Sequence, residues 1–221
     1  MLKKSISKAL LITGLCLWPA LAFGQVPYQL TAEDKTSLQK QEVVTHVWRD
    51  ASRNDGALDV FGAVDVMASP QVIWNLMTDC SRGMELVKGM LSCTVLETEP
   101  GGVSDIREQV FTLGFLLPNA KTRFRSEYEP YKRITIRRVG GDMKIQDAIW
   151  SITPQASGLT RVSYRGTILL KFPVPGPLIK RATRKDTPKI MQNLKRVAEA
   201  DSQKQRRVVN VSAGGTLNNV K

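Results

Sequence analysis

Two hydrophobic periods divide most of the chain. From about residue 58 to 172 apolar and polar positions alternate in short runs broken by turn residues, and from 177 to 200 apolar positions recur at helical spacing. The first regime predicts strands at 58–67, 92–99, 105–116, 122–129, 133–139, 144–154 and 160–172. Between them lie turns such as Pro100-Gly101-Gly102, Gly140-Gly141-Asp142 and Ser157-Gly158. Alternation is sharpest where Phe124, Ser126 and Tyr128 oppose Arg123, Arg125 and Glu127. It is equally clear where Val162, Tyr164, Gly166 and Ile168 oppose Arg161, Ser163, Arg165 and Thr167. Such runs describe an antiparallel meander with one wet face and one covered face.

The second regime supplies the cover. Ile179, Ala182, Ile190, Leu194 and Val197 fall on one side of a helix, and Pro188, which has no N–H, predicts a kink or a restart with Thr187 as cap. Upstream, Thr31 caps a helix to about Lys40 and a strand follows at 42–49. Asn54-Asp55-Gly56 turns the chain, Ser69-Pro70 opens a helix to about Asp79, and a short helical piece covers 84–87.

The N-terminus changes the setting. Lys3, Lys4 and Lys8 precede an apolar run from Ala9 to Ala22, and Ala20, Ala22 and Gly24 are small, which is the pattern of a secretory signal peptide cleaved after Gly24. The run is shorter than the roughly 20 residues of a membrane span; a retained anchor is the alternative. The expected destination is across the inner membrane, in a bacterial periplasm. There Cys80 and Cys93 either bridge or stay separate buried thiols, and the spacing leaves both open. The expected organisation is a signal peptide (1–24), an N-terminal extension (25–56), a main domain (57–200) and a disordered tail (201–221).

The order of these elements is that of an α+β helix-grip fold, a curved antiparallel sheet around a long kinked C-terminal helix. Local motifs strengthen the likeness. The stretch from Val64 to Asp79 (VDVMASPQVIWNLMTD) resembles the opening strand and helix of the START-like (SRPBCC) superfamily, in its coenzyme-Q-binding and polyketide-cyclase-like branch of secreted proteins. Glu127-Tyr128-Glu129-Pro130, Gly140-Gly141-Asp142, Trp150 and Thr160 to Tyr164 resemble its middle, and Pro175 to Arg181 with Arg184 to Pro188 resemble its last helix. Cys80 departs from the pattern, since an aromatic residue commonly follows the Asp. The resemblance implies an apolar cavity between sheet and helix. Its expected lining is Phe124, Tyr128, Ile136, Trp150, Tyr164 and Ile168 from the sheet, with Ala182, Ile190 and Leu194 from the helix. Each of these residues also suits a filled core.

Catalytic chemistry has few carriers. His46 is the single histidine and lies in a predicted strand, and no metal-binding or nucleotide-binding motif occurs, so neither a metal nor a cofactor is expected. Asp142 and Asp147 could act as an acid–base pair, and Tyr128, Tyr164 and Asp147 are the polar groups a cyclase would have at hand. Charge sharpens the reading further. The formal net charge is +12, yet residues 25–170 hold 17 basic and 17 acidic residues, while 171–207 hold 11 basic and 3 acidic. Lys180, Arg181, Arg184 and Lys185 are therefore expected to face an anionic membrane, or simply solvent, and nucleic acid is not an expected partner. The sequence carries no signal for an oligomeric state. The expected function is a periplasmic carrier of a lipid or isoprenoid-like molecule. A polyketide cyclase/dehydrase using the same cavity is the alternative, and an interaction module with a filled core is a third.

Overall fold

A computed structural model describes residues 28–112 and 118–214, with side chains to 209. The expected signal peptide, the end of the strand expected to reach 116, and the tail beyond 214 lie outside the described residues.

The chain forms α1 (Ala32–Gln39), β1 (Val44–Trp48), β2 (Leu58–Val66), α2 (Pro70–Thr78), a 3-10 turn (Cys80–Arg82) and α3 (Gly83–Leu86). Then come β3 (Met90–Thr98), β4 (Ser104–Phe111), β5 (Ala120–Glu129), β6 (Arg133–Gly141), β7 (Met143–Pro154), β8 (Thr160–Leu170) and α4 (Gly176–Gly214). The eight strands make one antiparallel sheet in the order β1-β2-β8-β7-β6-β5-β4-β3. β3 to β8 form the expected meander, and β2 closes against β8 with Leu58 opposite Ile168 and Val66 opposite Thr160. The sheet curves around α4, which gives the helix-grip arrangement.

Local chemistry sets the helix ends. Ser69 Oγ accepts from the Val72 N–H, with Pro70 at the first helical position. Thr31 and Asp34 form a reciprocal capping box at the start of α1. One end of the molecule is solid. There Val64, Val66, Val72, Ile73, Leu76, Ile152 and Val162 enclose Met191, Leu194, Val197 and Ala198 from the middle of α4. Gly62 lets Met191 lie directly on β2, because a Cβ there would collide with the methionine side chain.

Four expectations are corrected. The segment expected as an extension is, over its described residues 28–56, part of the main domain: β1 pairs with β2, and α1 covers the outer face of the sheet. Leu38, Val44, Phe61 and Ala63 form a second small core there with Tyr28, Leu30 and Trp48. The sheet is accordingly covered on both faces at β2, and the expected wet face begins only beyond it. Of the kink or restart expected at Pro188 the restart does not occur: α4 is one helix through Pro188, and Thr187 caps no new helix, its hydroxyl donating to the Thr183 carbonyl at 2.8 Å. Residues 201–214 are helical, not a disordered tail. Strong helix formers continue to Arg207, Ser202 is buried, Asp201 pairs with Arg82, and Gly214 stands at the end. Among the described residues no helix is long and apolar enough to cross a membrane.

Cys80 and Cys93 are bridged and tie the 3-10 turn after α2 to β3, at the position where the family pattern places an aromatic residue. A bridge between residues 13 apart restricts the unfolded chain by about 3 kcal/mol in the loop-entropy model. Replacing both cysteines with serine is expected to lower stability by about that amount, measured by thermal unfolding. Dithiothreitol should destabilise the parent protein and leave the double variant unchanged.

The outer-face core has its own pH sensitivity. Asp34 loses solvation on burial, which raises its pKa. Hydrogen bonds from His46 (2.8 Å), the Thr31 backbone (2.9 Å) and Tyr28 (3.0 Å) outweigh this and hold its pKa at about 2. A folded pKa below the unfolded value of 3.8 gives stability that is present above pH ~4 and lost as the pH falls toward 2. Asp34→Asn is expected to flatten this part of the pH–stability curve, read from melting temperatures between pH 2 and 6.

Candidate functional site

Away from the solid core, the first half of α4 stands off the sheet and leaves a cavity of about 840 Å³. This lies toward the upper end of the ~300–1,000 Å³ typical of small-molecule sites. Strand alternation builds the wall. Arg107, Gln109 and Phe111 of β4 share a face, as do Ala120, Thr122, Phe124, Ser126 and Tyr128 of β5. Ile134, Ile136, Gln146, Trp150, Tyr164 and Ile168 continue it across β6 to β8, and Ile179, Ala182, Ile190 and Leu194 close it from α4.

All nine side chains expected in the lining therefore line this one cavity, six from the sheet and three from α4. The two aromatics at its centre are packed together: the Trp150 and Tyr164 rings lie 4.7 Å apart between centroids. Tyr164 lies over Gly166, where a Cβ would strike its hydroxyl. Desolvation by burial raises the Tyr164 pKa to about 12, so its hydroxyl stays protonated. Among the described residues that hydroxyl has no hydrogen-bond partner. Thr122 Oγ1 and Gln146 Oε1 in the wall are likewise buried without one.

One cavity wall carries charge that the sequence reading passed over. Arg107 and Asp105 are both buried, 7% and 6% exposed, and face each other two residues apart on β4. Arg107 Nε donates to both Asp105 oxygens at 3.0 Å. Its Nη2 donates to Asp105 Oδ2 (2.9 Å), the Thr78 carbonyl (2.6 Å) and Tyr128 Oη (2.7 Å). Tyr128 in turn donates to Asp105 Oδ2 at 2.7 Å, and its ring meets Trp74 edge-on. Burial is the main cause that lifts the Tyr128 pKa to about 12, so this phenol also remains protonated. Both carboxylate oxygens are thus occupied, and the network offers no free base. Arg107 Nη1 has no acceptor among the described residues.

The expected acid–base groups lie elsewhere. Asp147 alternates with Gln146 and Ala148 and so faces away from the cavity, opposite Arg137 and Thr167. Asp142 is a turn residue whose carboxylate accepts from the Lys121 N–H at 2.8 Å. His46 is bound to Asp34 on the outer face. Among the described residues no three His, Cys, Asp or Glu side chains gather as a metal-holding group. Lys180, Arg181, Arg184 and Lys185 of α4 are not part of the cavity lining; Lys180 is half-buried, Arg181 and Lys185 are exposed, and the exposed Arg184 stands beside Tyr28, His46 and Trp48. None of these four cations pairs with an acid among the described residues.

Comparison with known proteins agrees with this geometry. Residues 66–195 match the family model described as polyketide cyclase/dehydrase and lipid transport, and the chain belongs to that family. No curated protein sequence matches it. Among solved structures it resembles the human StarD13 lipid transfer and protein localization domain (14% identity, 78% of this chain and 98% of that one, TM-score 0.60). It also resembles a STAR-related lipid transfer protein from Xanthomonas axonopodis (14%, 72% and 94%, TM-score 0.59). A third is the Zhui aromatase/cyclase of a Streptomyces species (11%, 65% and 94%, TM-score 0.56). At such identities the likeness is one of fold. The fold is that of the START/SRPBCC proteins, and a role in binding a hydrophobic ligand follows from family and cavity together.

Proposed function

We propose that the protein is a periplasmic carrier that holds a lipid or isoprenoid-like molecule between its sheet and α4 and docks on anionic membrane to load and release it. The large apolar cavity is the observation that carries this reading. The ionic network in its wall supports holding over chemistry, because both Asp105 oxygens are occupied by Arg107 and Tyr128 and offer no free base. The signal-like N-terminus supports the compartment. Docking is supported by the exposed Arg181, Arg184 and Lys185 of α4 near the half-exposed Leu178, a combination suited to an anionic interface.

Reversing Lys180, Arg181, Arg184 and Lys185 to glutamate is expected to abolish binding to vesicles rich in phosphatidylglycerol, measured by co-sedimentation. The same variant should lose transfer of a fluorescent lipid between donor and acceptor vesicles. Unchanged vesicle binding removes the docking claim, and absence of lipid transfer by the parent protein removes the carrier claim.

The cyclase reading keeps one specific support, the Arg107 Nη1 donor on the cavity wall, which has no acceptor among the described residues. A poly-β-ketone analogue turned over by the parent protein and not by Arg107→Met, at a temperature where the variant is still folded, would establish it.

A further inference from the structure

The two ends of the cavity differ in charge. At one end, beneath α2, Arg107 is neutralised by Asp105. The other end lies about 25 Å away along β5, from Tyr128 to Ala120 at roughly 3.3 Å per residue. Three cations of the lining gather there: Arg49 just after β1, Lys144 near the start of β7 and Lys171 just after β8. The backbone fixes them at the same end. Lys171 N–H donates to the Asp142 carbonyl at 2.8 Å, and the Asp142 carboxylate holds the Lys121 N–H beside Ala120. Trp48, which precedes Arg49, pairs with Asp59, and the neighbouring Leu58 pairs with Ile168 near the end of β8.

All three cations are exposed, and among the described residues none makes an ion pair or a side-chain hydrogen bond. The acids of the same region are engaged. Asp55 accepts from the Ala57 N–H at 2.9 Å, and Asp186 faces Lys189 at 3.6 Å. The Arg49 guanidinium lies over Gly176 so closely that a Cβ there would collide with it, which places this charge where the β8–α4 connection meets the cavity.

We infer that the ligand is an anionic amphiphile. Its hydrocarbon fills the cavity, and its phosphate or carboxylate headgroup sits among Arg49, Lys144 and Lys171. This rests on the carrier reading and adds to it the charge of the cargo and the direction in which it lies. Three cations around one anionic group give charge-assisted hydrogen bonds that a neutral alcohol of the same chain length cannot form.

The test uses three probes of one chain length, hexadecanol, hexadecyl phosphate and hexadecylphosphocholine. Each is presented to the protein below its aggregation concentration and without vesicles, so that membrane docking does not enter. Hexadecyl phosphate is expected to bind about tenfold more tightly than the other two, and its advantage should shrink at high salt. The triple variant Arg49→Gln, Lys144→Gln, Lys171→Gln should lose this preference while keeping the affinity for hexadecanol. Neutralising Lys180, Arg181, Arg184 and Lys185 should leave the preference intact. Equal affinity for all three probes overturns the inference and leaves the carrier reading standing. Persistence of the preference in the triple variant, or its loss in the α4 variant, overturns it as well. Displacement of hexadecyl phosphate by a modest excess of inorganic phosphate shows a free-anion site and contradicts an amphiphile. If no probe binds, both the inference and the carrier reading fall.

Discussion

Arg107→Met is expected to lower stability by about 3–5 kcal/mol, because it leaves the Asp105 carboxylate buried without its cation. For a domain of this size that corresponds to a fall in melting temperature of about 10 °C. Tyr128 can satisfy only one lone pair, so it does not compensate. The double variant Asp105→Asn, Arg107→Met should recover most of the loss, because removing both members of a buried pair costs far less than removing one. An Arg107→Met protein as stable as the parent at pH 7 would mean that water already reaches the network and screens it.

The second large effect concerns binding. Thr122→Phe combined with Ile168→Trp places two aromatic side chains in the cavity from well-separated strands, β5 and β8. Stability should be maintained, because Thr122 Oγ1 has no partner to lose and the new rings bury apolar surface in empty space. Uptake of a hydrophobic probe should fall at least tenfold, since the occupied volume is no longer available. Thermal unfolding and probe titration on the same preparation separate the two effects. A filled cavity that still takes up the probe would place the binding site elsewhere on the molecule.

Much of the architecture could be read from side-chain period. The alternation of Phe124, Ser126 and Tyr128 against Arg123, Arg125 and Glu127 specified which face of β5 meets the cavity, and the helical spacing of Ile179, Ala182, Ile190 and Leu194 specified the opposite wall. The N-terminal packing was not legible, because Leu38, Phe61 and Tyr28 make contact only once β1 has paired with β2. At β4 alternation gives no warning of the buried charge. Asp105 and Arg107 resemble a solvated strand face in sequence, and only their mutual neutralisation and the Tyr128 hydroxyl make burial affordable. Their shared face with Gln109 and Phe111 was the available signal. The bulge between Met143 and Ile145 helps set which residues of β7 face inward, and it leaves Asp147 on the outer side. Past Asp201, where apolar periodicity is absent, α4 is held by the Asp201–Arg82 pair and helix propensity, which a search for amphipathic pattern passes over.

The central claim is that the cavity between the sheet and α4 carries a hydrophobic molecule. Its most direct test is native mass spectrometry of the protein purified from its own cells without detergent, followed by organic extraction and identification of whatever is released. A bound hydrocarbon-rich compound near one per chain is expected, absent from the Thr122→Phe, Ile168→Trp variant prepared in parallel. An empty parent protein that also takes up nothing from a total lipid extract would contradict the claim.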